Sequence, residues 1–139
     1  MRVTVNKDAS VILLTYKGKI LLLLQENSPI RSTRDVWTLL SGVKNKNESF
    51  EDAIVRKIKV EMQISVPSVE FLSNWNYDGK KKYFYRASLT DQQVNNILRE
   101  EGQAIGFFSL QELAKLPLEN LTKLFIAKHR DLLENLHTN

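Results

Sequence analysis

The sequence predicts an α+β domain in which helices pack on a mixed sheet, and three observations point there. Two apolar runs, "SVILLTY" and "KILLLLQEN", flank "KGK". Two aromatic and β-branched runs flank Asp78-Gly79. Amphipathic stretches with capping pairs fall among these runs without the strict strand–helix alternation of a parallel sheet. A chain of 139 residues suits one domain, 1–139, with one core.

In chain order, the first two runs read as buried strands joined by a tight turn at Gly18. "SPIRSTRD" is a polar loop, and "VWTLLSG" is a short strand stopped by Gly42. Ser49 followed by Asp52 is a capping-box pattern, and Phe50, Ile54 and Ile58 form a core-facing row, so a helix is expected over roughly 49–63. Asp52 and Arg56 are one turn apart on it and can pair. "SVEFLSNWNYD" and "KKKYFYRASL" around Asp78-Gly79 read as a hairpin. Thr90 and Gln93 cap a short helix at "DQQVNNIL", "AIGFFSL" is a last strand, and Ser109 with Glu112 caps a helix ending before Pro117. Leu121, Leu124, Phe125, Leu132 and Leu136 mark a terminal helix of about 121–136, with Leu124, Phe125 and Leu132 as core or a homodimer contact.

The composition excludes several classes. There is no cysteine, so neither a disulfide scaffold nor a thiolate zinc site is available. The net charge of +4 favours anionic ligands but is too mild to indicate nucleic acid. The apolar runs are too short to span a bilayer, and "MRVTVNKDAS" has no apolar signal core, so a cytoplasmic location is expected.

The chemistry concentrates in "SGVKNKNESFEDAIVRKIKVEMQI", residues 41–64. Positions 57, 60 and 61 share one face of a helix. Three carboxylates there would make a hard-oxygen patch for magnesium, able to lower the pKa of a bound water. Only Glu61 is a carboxylate; Lys57 and Val60 hold the other two places.

Gly42, Glu48, Arg56, Ile58, Glu61 and Ile64 match, without a gap, a known pattern: glycine, five residues, glutamate, seven residues, then Arg-Glu-aliphatic-x-Glu-Glu-x-Gly-aliphatic. On these residues the chain resembles the Nudix (MutT-like) family, with a degenerate box. Lys57, Val60 and Gln63 depart from the pattern, and Ser41 replaces the glycine that often precedes it. "VWTLLSG" and "EGQAIGFFSLQEL" extend the resemblance over roughly residues 9–117. It implies an α/β/α sandwich around a mixed sheet. It also implies magnesium or manganese on the helix glutamates, and attack by water on a diphosphate bond in a nucleoside diphosphate joined to another group. Arg56 would orient the glutamates through an ion pair, and Gly42 would be structural.

The departures weaken the metal. An ammonium about 5 Å from a divalent ion is repelled by on the order of 6 kcal/mol at an effective dielectric of about 20. Screening reduces this, yet even a third of it is more than tenfold in affinity. Three readings follow. The first is a weak, magnesium-dependent pyrophosphohydrolase that recruits Glu48, Glu61 and Glu100 or Glu101 as catalytic and metal residues. The second is a nucleotide-binding or protein-interaction module without turnover, in which Lys57 binds phosphate as a point charge. The third is a solvated helix face on which Lys57 merely pairs with Glu61, worth ~0.2–0.5 kcal/mol.

Arg31 and Arg34 are candidate phosphate clamps, and Trp75 and Tyr77 candidate base contacts. Lys80, Lys81 and Lys82 read as a solvated hairpin tip, and His129 and His137 as surface residues.

Overall fold

The computed structural model describes residues 8–25, 35–98 and 103–136. Its strands are β1 (Ala9–Tyr16), β2 (Lys19–Gln25), β3 (Trp37–Thr38), β4 (Leu40–Gly42), β5 (Glu70–Tyr77), β6 (Lys80–Ser88) and β7 (Gln103–Phe108). Its helices are α1 (Phe50–Met62), α2 (Asp91–Asn95), α3 (Leu110–Leu113), α4 (Asn120–Lys128) and α5 (Arg130–Glu134). All seven strands form one mixed sheet with a path β3-β2-β1-β6-β5, to which β4 adds on β1 and β7 on β2. β1 and β6 run parallel; the remaining pairs are antiparallel.

The turns are where the glycines require them. Lys17-Gly18 and Asp78-Gly79 all have positive φ, the backbone of two-residue hairpin turns. Beyond the first turn β1 and β2 part. β6 takes one edge of β1 from Ala9 to Thr15, and β7 takes one edge of β2 from Ile20 to Gln25. The fork between them admits the predicted "VWTLLSG" strand as two short pieces: β3 on β2 and β4 on β1. At the break, the Leu39 N–H donates to Thr122 Oγ1 at 3.1 Å. The fork holds Gly42 opposite Ser10, and the buried Ser10 hydroxyl donates to Phe50 O at 2.6 Å, fixing the start of α1 to β1.

Period-two alternation along β1 and β2 feeds two cores. Ile12, Leu14, Leu21 and Leu23 meet Ile54, Ile58 and Met62 of α1 on one face. Val11, Leu13, Ile20, Leu22 and Phe84 meet Leu113, Phe125 and Leu133 of α3, α4 and α5 on the other. The expected α/β/α sandwich is therefore present. No helix among the described residues is long and apolar enough to cross a membrane.

Three expectations are corrected. The terminal helix is two helices, broken at His129, whose φ of −117° and ψ of 31° are not helical. His129 is not a plain surface residue: it lies 3.0 Å from Ser73 Oγ and stacks on Phe125. Lys82 is not part of a solvated tip. It is buried, because period two from Phe84 turns it toward the α4 side of the sheet. Of the proposed dimer row, Phe125 is core; His137 lies outside the described residues.

Candidate functional site

The loop 43–49 and α1 form a framework braced by the Glu48 carboxylate. Ser49, in extended conformation, accepts from the Asp52 N–H at 3.0 Å and caps α1, while Glu51 and Asp52 place negative charge on its first turn. Arg56 does not pair with Asp52. It reaches back to Glu48 with a two-pronged contact, Nε to Oε2 at 2.8 Å and Nη2 to Oε1 at 3.0 Å. Its Nη2 also donates to Val43 O at 2.9 Å, and the Asn45 N–H donates to Glu48 Oε1 at 2.9 Å. The Arg56 hydrogen bond, followed by the Asn45 amide, holds the Glu48 carboxyl below its usual range. The same pair raises Arg56. Both Glu48 oxygens are thus committed to Arg56, Oε1 also to the Asn45 amide, and Arg56 positions one glutamate, Glu48.

Next to Arg56 on α1, Lys57 Nζ sits 2.8 Å from Glu61 Oε1, one turn on. This is not a pair on a solvated face, since the two side chains are only 16% and 4% exposed. The cause is Gly42. A Cβ there would meet Lys57 Cγ at 3.0 Å and Cβ at 3.1 Å, so the missing side chain lets the lysine stem lie against β4. The other Glu61 oxygen, Oε2, is 3.5 Å from Gln103 Nε2. Val60 points away, 54% exposed.

Sequence reasoning missed Gln103, although a signal existed. Ile105 and Phe107 pack on the α1 core, so extending β7 back by one alternation puts Gln103 on that face. Its backbone pairs in register with Gln25. Arg31, Arg34, Glu100 and Glu101 lie outside the described residues.

Trp75 and Tyr77 are on the other side of the sheet. Trp75 packs in the α4–α5 core, stacked on Phe84 at 4.5 Å with Lys128 Nζ 5.0 Å from its ring centroid. Tyr77 shares that face by alternation, and burial, then the nearby Glu119 and Asp78 charges, raises its pKa. The structure thus brings together Gly42, Lys57 and Glu61, with Arg56 and Glu48 beside them, and separates Trp75 and Tyr77 from that group. A cavity of about 700 Å³ lined by Thr15, Ser68, Arg86 and Leu132, among others, lies elsewhere. It is at the end of the β1–β6 pair away from Gly42.

The described residues do not fit a divalent ion of the kind the resemblance implies. No three His, Asp or Glu side chains among them converge as a metal cluster, Glu48 is occupied by Arg56, and Glu61 already carries a cation.

A mixed sheet between helix layers, with a glycine-gated loop and a capped helix at its fork, defines the class of this domain. The model of the NUDIX domain matches residues 5–129, and the chain belongs to that family. It is 24% identical over 109 residues, 77% of its length, to the NAD-capped RNA hydrolase NudC of Pectobacterium carotovorum subsp. carotovorum (strain PC1). The chain spans 40% of the length of that relative. Among solved structures, it is similar to the NUDIX domain of Shewanella oneidensis NrtR, crystallised with ADP ribose. That match has a TM-score of 0.69 at 18% identity and covers 94% of this chain and 90% of that one. The MutT NUDIX hydrolase of Burkholderia pseudomallei gives 0.71 at 21% identity over 88% and 98%. These two likenesses concern the fold.

Proposed function

We propose that this Nudix domain binds a nucleoside diphosphate joined to a further group and hydrolyses it poorly. The observation that carries the reading is the Lys57–Glu61 pair, which puts an ammonium where the family's metal-binding face would present carboxylates. An ammonium binds phosphate as a point charge, but it does not generate hydroxide from water as a metal does. In this reading Lys57 faces the diphosphate, Arg31 and Arg34 clamp it, and Arg56, Glu48 and Gly42 keep the loop in place. Relatives support the ligand class. One Nudix domain of this fold was crystallised with ADP ribose, and the similar NudC acts on NAD-capped RNA. Both ligands contain a diphosphate bridge. Trp75, engaged by Phe84 and Lys128, is left out of the contact set, and Tyr77 with it.

The test is thermal stability and product release with ADP-ribose, in chelator and in magnesium. The proposal expects stabilisation by ADP-ribose in chelator and slow release of product in magnesium. Binding that requires magnesium, with brisk turnover, would instead establish the hydrolase reading with Glu61, Glu48 and Glu101 around the ion.

A further inference from the structure

The geometry points to Lys57 as a built-in counter-ion that fills the cation position on the buried carboxylate of Glu61. The box then keeps its shape without a divalent ion and acquires a demand for one when the ammonium is removed. The inference takes from the proposed function only that α1 is the box helix. Its test uses no nucleotide, so the two fail separately.

Glu61 is 4% exposed. An ionised carboxylate at that depth needs a cation or strong donors. Arg56 is unavailable, since Glu48 and Val43 take its guanidinium. Lys57 supplies the charge at 2.8 Å, and its stem is seated over Gly42 rather than free to swing.

Gln103 meets the other oxygen of Glu61. It is 6% exposed, its Nε2 faces Glu61 Oε2 at a long 3.5 Å, and its Oε1 is buried without a hydrogen-bond donor among the described residues. A buried amide oxygen with no donor is uncommon. The amide presents its nitrogen to Glu61, so the carboxylate alone offers the hard oxygens that magnesium, manganese or calcium accepts. The tethered ammonium satisfies the charge of that carboxylate.

The experiment compares the full chain with Lys57→Glu, Lys57→Gln and Lys57→Arg, without nucleotide, in chelator and in 10 mM magnesium (probe concentration on the order of ten times a Kd of about 1 mM). The wild type should melt at the same temperature in both. Lys57→Glu should melt about 10 °C lower in chelator and regain about 4 °C or more in magnesium. Lys57→Arg should show no magnesium response. Should Lys57→Glu fail to fold, manganese titration of Lys57→Gln followed by the spin resonance of the free ion replaces it. Manganese uptake by the variant, absent from the wild type, supports the inference. Equal magnesium stabilisation or manganese uptake by wild type and variant overturns it, as does a folded Lys57→Glu that ignores magnesium.

Discussion

Arg56 grips both oxygens of Glu48 across eight residues, closing the loop 43–49 against the helix that follows it. The pair is partly buried, with side chains 37% and 15% exposed, and the Val43 carbonyl and Asn45 amide extend it into the loop backbone. Hydrogen bonds to charged groups of this kind contribute about 1.5–3 kcal/mol. Glu48→Gln should therefore lower stability by about 2 kcal/mol, or ~6 °C in Tm for a domain of this size. Urea melts of the two proteins measure it; an unchanged midpoint would mean that the pair does not brace the loop.

The same contact sets an acid limit. Glu48 and Glu112 both titrate below the usual carboxylate range, Glu48 through Arg56 and the Asn45 amide, Glu112 through the Ser109 backbone and side chain. A depressed folded-state pKa contributes stability that is present above the unfolded value, about 4.3, and is lost as pH falls through the folded value. Tm should be flat from pH 7 to about 5 and fall below about 4.3. Arg56→Met should make that fall shallower, leaving the Glu112 share. An equally steep fall in the variant would assign the acid response elsewhere.

Much of this was legible in the sequence, for identifiable reasons. Hairpin turns at Gly18 and Asp78-Gly79 and caps at Ser49, Thr90 and Ser109 are local chemistry, written in adjacent residues. The box spacing placed Arg56 and Glu61 correctly on a helix, and the strand reading placed Gly42 at the end of the strand before it. Long-range partners were not legible. Arg56 chose Glu48 over Asp52 because the loop folds back, and Lys57 is buried because Gly42, fifteen positions earlier in the chain, has no side chain. The break at His129 also depends on distant contacts with Ser73 and Phe84.

Gly42 can be tested directly. It has an ordinary φ, so its role is space rather than backbone freedom. In Gly42→Ala the new methyl lies within 3.0–3.1 Å of Lys57 Cγ and Cβ, and such overpacking costs about 1–3 kcal/mol. A Tm loss of ~3–9 °C is expected by calorimetry, whereas no loss would show that α1 shifts freely away from β4.

Restoring carboxylates should restore chemistry. Val60 is 54% exposed on α1, so Val60→Glu alone should change stability by no more than ~0.5 kcal/mol. Combined with Lys57→Glu it gives α1 three carboxylates, two in the buried position of the Lys57–Glu61 pair and one on the exposed side of the helix. Magnesium-dependent hydrolysis of ADP-ribose should then rise at least about tenfold, a barrier change of ~1.4 kcal/mol, read as product released per enzyme. If the double variant binds ADP-ribose and magnesium yet hydrolyses no faster, the missing carboxylates are not what limits turnover.

Gln63 closes α1 in a conformation that suits another residue. Its φ of 59° and ψ of 32° are left-handed, and its N–H donates to Lys59 O at 2.9 Å. The box pattern has glycine at this position, and the structure shows why: the backbone turns where a Cβ crowds the following carbonyl, at ~1–2 kcal/mol. The Gln63 side chain is exposed, so removing it sacrifices little packing. Gln63→Gly relieves the crowding but adds freedom to the unfolded chain, an offset of about 0.4–1 kcal/mol. The balance is a gain of ~0.5–1 kcal/mol, or ~2–3 °C in Tm. Gln63→Ala keeps a Cβ and should give no comparable gain. A melt in which alanine stabilises as much as glycine would remove backbone strain as the cause.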